Sequence, residues 1–377
     1  MRNFSFITFL LFLSFLLPAN NWKTSAAELM VQDGINAMYN YEFENAITAL
    51  DSAWVIDNTH PVIPFVLIAA KWLHTQTREG YDASYEIINS EVDATAPIYK
   101  YLISQYPDKG EYYLYLGSTF GIRARTALAG KAWLDVLYFG YQGLKYIRLA
   151  QDIDKTLMDV YMPIGLMEYF ACLSAAPVKW GASLMGLSTD CEVGLKHLEI
   201  AVNESHYSWI EASNVLTYAY LHIERDYLKA EEVISPLVDQ FPGHPYFAFL
   251  KGESLAKTKK WEALDELLPE LREFASKGPF LQQNECQLKL AYVEGLKSYH
   301  RKDYSTAISK CNWILKNYHM EFDWLKGFAY FLRAQSFEDL GKMELAVKDY
   351  REVIKMDSYY PEVGEAKENI ESIVNKE

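Results

Sequence analysis

The sequence predicts an all-α chain, an α-solenoid of stacked helical hairpins whose N-terminal half is irregular and built from long helices. Three observations carry this. From Glu28 onward, apolar residues recur at spacings of three and four, and strand-like alternation is scarce. Gly and Pro fall mostly between these periodic runs, where helices must stop. A short motif also returns several times in one frame, the mark of a repeat architecture.

The motif is a charged residue, a large apolar one, two variable positions and then Ala. It reads Glu42-Phe43-x-x-Ala46, Asp226-Tyr227-x-x-Ala230, Asp303-Tyr304-x-x-Ala307 and Lys342-Met343-x-x-Ala346, with Lys260-Trp261-x-x-Leu264 as a weaker copy. Twelve residues before each Ala position stand Gly34, Tyr218, Gly252, Gly295 and Ala334. Four residues after it stand Leu50, Ile234, Leu268, Cys311 and Tyr350, and three further on Ala53, Leu237, Leu271, Ile314 and Val353. Small residues at the first-helix mark and at the Ala mark let two antiparallel helices approach closely. The later apolar pair makes one stripe that must pack on the next hairpin. Pro61, the run Pro242-Gly243-His244-Pro245, and Pro361 then break the chain.

This pattern resembles the tetratricopeptide repeat, a helix-turn-helix unit of about 34 residues. The best copy runs from Phe337 through Asp357, with Leu340-Gly341, Ala346 and Tyr350 at family positions. The likeness covers roughly Leu29 to Ala53 and His206 to Tyr360. It implies hairpins that cannot cover their apolar faces singly and so must stack. Pro361 to Glu377 reads as a polar capping helix, with Ile370 and Val374 facing inward.

Residues 62–205 leave the repeat frame. Candidate long helices run over Pro64–Thr77, Tyr112–Leu128, Trp133–Gln151 and Thr156–Ala175. A short piece ends at Met185, and Thr189 with Glu192 has the form of a capping box for the next helix. Ser174, Pro177, Lys179, Gly186, Asp190, Gly194 and Leu195 occur in the order seen in the inclusion body clearance and tetratricopeptide repeat protein 39 family, which this stretch resembles. Val178, Thr189 and Cys191 depart from that pattern. The resemblance implies an architecture of long helices ahead of a repeat half.

The first segment reads as a secretory signal, residues 1–27. Arg2 precedes a nearly continuous Phe, Leu and Ile run from Phe4 to Leu17, and Ser25-Ala26-Ala27 offers small residues for cleavage. The remainder divides into 28–205, with one repeat and the long helices, and 206–377, with the regular repeats and cap. No later apolar run reaches the length of a membrane span, and the expected location is periplasmic or extracellular. Half of the 377 residues are hydrophobic, which excludes disorder. Fifty acidic residues against 36 basic ones disfavour nucleic acid and electrostatic docking on anionic lipid.

The eight His are scattered with no pair three or four apart, no catalytic signature is present, and neither a metal nor a cofactor is expected. Cys191 at a helix start carries flanking acids that oppose thiolate formation. Of the four Cys, an antiparallel hairpin suggests Cys286 with Cys311 as the disulfide pair. Arg123 and Arg125, with Lys131 nearby, are the candidate clamp for a partner's carboxylate, and Tyr112 and Tyr115 are the aromatics expected to line a groove beside it. The function expected is that of an exported scaffold or adaptor for a protein or peptide. The alternative is a small-ligand or glycan receptor with its pocket in the long-helix region.

Overall fold

A computed structural model of the chain describes residues 25–356 and 358–375. The Arg2 to Lys23 stretch, Asp357 and Glu377 lie outside the described residues. Eighteen α-helices and no strand occur among the described residues. In order they are α1 (Ala26–Tyr39), α2 (Phe43–Ile56), α3 (Ile63–Glu79), α4 (Tyr81–Gln105), α5 (Gly110–Ala129) and α6 (Trp133–Ile153). A 3-10 turn, Met158–Val160, leads to α7 (Tyr161–Leu173), α8 (Ala176–Leu184) and α9 (Cys191–Glu204). Then come α10 (Trp209–His222), α11 (Tyr227–Gln240), α12 (Pro245–Lys257), α13 (Trp261–Phe274) and α14 (Phe280–His300). The last are α15 (Tyr304–Lys316), α16 (Trp324–Asp339), α17 (Met343–Lys355) and α18 (Pro361–Val374).

The repeat frame holds in detail. In every copy the large apolar residue is the first residue of the second helix: Phe43, Tyr227, Trp261, Tyr304 and Met343. Two residues earlier the backbone enters the left-handed region, at Tyr41, Arg225, Lys259, Lys302 and Gly341. In four of these turns the residue that follows donates its N–H back to a carbonyl five positions earlier, as in Glu42 to Ala37 (2.9 Å) and Lys342 to Phe337 (2.8 Å). This bond satisfies a helix-terminal carbonyl and reverses the chain within three residues. In two copies an aspartate caps the second helix: the Asp226 and Asp303 carboxylates accept from the Lys229 and Thr306 N–H groups (both 3.1 Å), whereas Glu42 makes no such bond.

Ala46, Ala230, Ala307 and Ala346 are fully buried. A Cβ on Gly34 would stand 2.7 Å from Leu50, and one on Gly252 would stand 2.9 Å from Leu271. The small first-helix residue thus receives the apolar stripe of its own hairpin's second helix. Gly295 is buried in the same role against Leu332 of the following hairpin.

The middle section departs from expectation in three places. An unanticipated helix, α4, runs 25 residues with Pro97 inside it. The helix expected over Thr156–Ala175 is a 3-10 turn followed by α7. The cap of α9 is Asp190, whose carboxylate accepts from Glu192 N–H at 3.0 Å, so Thr189 is not the capping residue. A sixth hairpin of the repeat type also appears. Lys131 takes the left-handed position between α5 and α6, and Ala132 N–H bonds Ala127 C=O at 2.9 Å. The motif was hidden because Val136 stands where Ala would be.

The predicted disulfide is corrected. Cys172, near the end of α7, joins Cys191, the first residue of α9, with Cα atoms 5.4 Å apart; Cys286 and Cys311 are buried free thiols. Around the Lys302 turn, Cys311 lies nine residues after and Cys286 sixteen before. That mismatch of seven residues separates them by about 10 Å along the hairpin axis. Burial pushes both thiols up to about 12.

The stack winds back on itself. Tyr39 packs against Phe241 (ring centroids 5.1 Å apart) and its hydroxyl donates to Glu211 at 2.7 Å. Gly243 N–H donates to the Asn40 side chain at 2.9 Å. Tyr81, the first residue of α4, donates its O–H to Glu285 on α14, ten helices later. At the other end Tyr218 of α10 meets Tyr360, and Arg225 pairs with Glu362 (3.2 Å) and Glu365 at the start of α18.

Candidate binding surfaces

Arg125 lies at the closure of this superhelix. Its guanidinium sits over Trp72 of α3 (4.6 Å to the centroid) and near Phe322 (5.9 Å) in the segment before α16. It donates to Glu321 at 2.8 Å, and Tyr85 O–H donates to the same carboxylate. The arrangement is a carboxylate clamp of the kind the sequence suggested, filled by the chain's own Glu321. Arg123 pairs with Asp93 on α4 and lies over Phe139. Both arginines therefore tie helices together in this structure.

The two tyrosines proposed for the groove are corrected to core residues. Tyr112 is buried and donates to Thr59 C=O at 2.7 Å, and Tyr115 is buried against Phe65 and Tyr99. Burial raises both hydroxyls, Tyr112 to about 12. Their helix periodicity placed them on the inner face of α5, where they pack instead of binding. Lys131 is exposed at the α5–α6 turn.

Two polar clusters were not legible in the sequence. Asp159, buried in the 3-10 turn, accepts the backbone N–H groups of His206, Tyr207 and Ser208 (2.8 to 3.0 Å). It thereby satisfies donors just before α10, which helix geometry leaves orphaned, and joins the long-helix half to the repeat half. The second cluster centres on Glu28, in the first turn of α1. Its carboxylate meets His60 Nε2 (2.9 Å), His206 Nε2 (3.4 Å), the Gln32 amide (2.6 Å) and the Tyr207 hydroxyl. Burial alone would raise this carboxyl, but the hydrogen bonds from His206, His60, Gln32 and Tyr207 win and hold it at about 2.

Beside this cluster opens a cleft of about 400 Å³ between α1 and the α10–α11 hairpin. Asn36 and Gln240 supply amides, the Gln32 amide N–H being held by Glu28, while Trp209, Ile210 and Phe241 form its apolar wall. Primary amides both donate and accept, so such a wall can bond an extended peptide backbone in either direction. Among the described residues no group of three or more His, Cys, Asp or Glu is placed to hold a metal ion.

The architecture defines a helical-repeat protein of the tetratricopeptide type. No family model matches the chain, and no curated protein matches its sequence. Solved structures similar to it include the human IFIT1 dimer with PPP-AAAA, at 13% identity over 94% of this chain and 87% of that one, TM-score 0.42. Yeast Tom70 is similar at 10% identity over 94% and 89%, TM-score 0.36. The P58(IPK) TPR domain is similar at 13% identity over 93% and 99%, TM-score 0.26. At these scores the fold assignment rests on the hairpins themselves, and nothing about ligands transfers. The likeness to the tetratricopeptide repeat protein 39 family stays one of local sequence.

Proposed function

We propose that the chain is an exported, non-catalytic scaffold or adaptor that binds an extended segment of a partner protein. The observation that carries this is the open cleft beside α1, with amide groups above an apolar wall, on a rigid stack of hairpins. The Cys172–Cys191 disulfide supports an oxidising location, periplasmic or extracellular. Among the described residues no helix is long and apolar enough to cross a membrane. The signal reading puts cleavage after Ala27. Ala26 and Ala27 are the first residues of α1, Ala27 is fully buried, and Ser25 caps Glu28 N–H at 3.1 Å. N-terminal sequencing of the exported protein fixes where that cut falls.

A photo-crosslinking side chain at Gln240 tests the binding site. It is expected to trap one defined partner from the exported fraction, and the same probe at the exposed Lys355 is expected to trap none. Equal labelling from both positions would sink the cleft as the site. The small-ligand alternative, motivated by the aromatic richness of the long-helix region, would be favoured by an enclosed cavity beside Arg123. There Arg123 and Arg125 pair with the chain's own acids, and Tyr112 and Tyr115 are buried.

A further inference from the structure

The second helix of the α5–α6 hairpin is longer than those of the repeats. The second helices α2, α11, α13, α15 and α17 have 13 or 14 residues, whereas α6 has 21, so the hairpin is longer by about 10 Å. Its inner face is committed: Gly143, Leu144, Ile147 and Ala150 are buried, and Gly143 meets Gly117 of α5. The opposite face should then be polar. It is not. Leu134 is 82% exposed, Leu137 65%, Tyr138 58% and Tyr141 52%, with Trp133 at 62% at the helix start. Residues 134, 138 and 141 follow the four-three spacing of a single helical stripe. An exposed, mostly apolar surface of this extent, on the order of several hundred Å² from these large side chains, marks a contact site.

Charge identifies the occupant. The chain as a whole has a formal charge of −14, yet residues 112–151 contain five basic residues and one acid, Asp135; the next acid on α6, Asp152, is paired with Lys155. Two of the five, Arg123 and Arg125, are neutralised by Asp93 and Glu321. Lys131 and Lys145 are exposed and flank the apolar stripe, and Arg148 donates to the neutral Met185 carbonyl. A second copy of this face would bring those cations against their own kind. An anionic lipid surface instead attracts them. Trp and Tyr beside Leu, with Lys stems able to reach outward, are the side chains that lodge at a bilayer interface. The same combination recurs nearby on α8, with Val178, Trp180 and Leu184 exposed around Lys179.

We propose that the outer face of α6, joined by α8, docks on the surface of an anionic lipid bilayer. The helix lies in the plane of the interface and does not span it. This goes beyond the scaffold reading and uses a different surface from the peptide cleft, so either can fail alone.

The test is flotation of the full chain with vesicles of pure phosphatidylcholine and with vesicles containing 30% phosphatidylglycerol. Binding to the anionic vesicles is expected to exceed binding to the neutral ones at least fivefold, and to weaken in 0.5 M salt. Leu134→Glu with Leu137→Glu is expected to lower the bound fraction tenfold or more. Both positions are exposed, and an unchanged melting temperature confirms that the variant folds. Lys131→Glu with Lys145→Glu reads the electrostatic part alone and should remove the preference for phosphatidylglycerol. No flotation with anionic vesicles, or flotation that both double variants retain, overturns the proposal. So does light scattering that shows a dimer abolished by the leucine variant, because the face would then be an interface between copies.

Discussion

The α5–α6 and α16–α17 hairpins turn in the same way and end differently. Each places one residue, Lys131 or Gly341, in the left-handed region two positions before its second helix, and each closes with the same backbone bond, 2.9 Å at Ala132 and 2.8 Å at Lys342. In α17 the buried stripe Ala346, Asp349, Tyr350 and Val353 faces the stack, and Glu344, Lys348 and Arg351 face solvent. In α6 both faces are apolar and only one is covered. The turn is local chemistry; whether a helix is covered depends on its length relative to the next hairpin. The two regions also approach differently. In the repeats, Gly252 meets a flexible Leu271 methyl, whereas in the middle a Cβ on Gly117 would stand 2.7 Å from the Gly143 carbonyl oxygen and 2.7 Å from Ile147.

That contrast predicts the largest effect. Gly117→Val forces the α5 and α6 backbones apart and should cost more than about 3 kcal/mol. Gly252→Ala should fall within about 0.5 kcal/mol of wild type, because Leu271 can rotate and Ala gains helix propensity. Urea titrations of the two variants measure the difference; equal losses would erase the distinction between the regions. Next comes the Cys172–Cys191 bond, which ties α7 to α9 and has no counterpart in the repeats. With a sequence separation of 19, its removal by Cys172→Ser with Cys191→Ser should cost about 3 kcal/mol. Cys286 and Cys311, buried with raised thiols, should stay unmodified by a thiol reagent in the folded protein and react on unfolding.

The Glu28 cluster joins the first hairpin to the repeat half, and its pH response tests that joint. A carboxyl held at about 2, below its ordinary 4.5, contributes stability that is present above 4.5 and lost as pH falls toward 2. The loss should reach roughly 2 to 3 kcal/mol across that window. Glu28→Gln should lower stability at pH 7 and flatten this part of the pH profile, which denaturation curves at pH 7, 4 and 3 read directly. An unchanged slope would mean that other carboxylates dominate.

Sequence periodicity located the repeats well because the copies repeat their instructions: a large residue that opens the second helix in all five, an aspartate that caps it in two, and small residues that admit a neighbour in most. Gly34, Ala46, Ala230, Gly295, Ala307 and Ala346 all take the close-packed positions assigned to them. The binding residues were less legible because their partners are remote. Nothing near Arg125 announces Glu321, 196 residues later, and nothing near Asp159 announces the amides of residues 206–208. Tyr112 and Tyr115 show the limit of helical spacing, which identifies a face and leaves open what that face meets. The disulfide was missed for a similar reason: hairpin proximity favoured Cys286 and Cys311, and position along the helix axis excluded them.

The smallest effect is the most discriminating for the two-faced helix. Leu137→Gln on α6 and Tyr350→Gln on α17 each replace a large apolar residue within the first eight residues of a second helix. Tyr350 is fully buried, packs on Phe331 and donates to Glu338 at 2.8 Å, so its loss should cost several kcal/mol, about 3 or more. Leu137 is 65% exposed, and its replacement should shift stability by less than about 0.5 kcal/mol, in either direction. A leucine that contributes so little to folding has its use elsewhere, in contact with something outside the chain. If Leu137→Gln instead destabilised the protein as a core change does, α6 would be covered from within, and its outer face would be no docking surface.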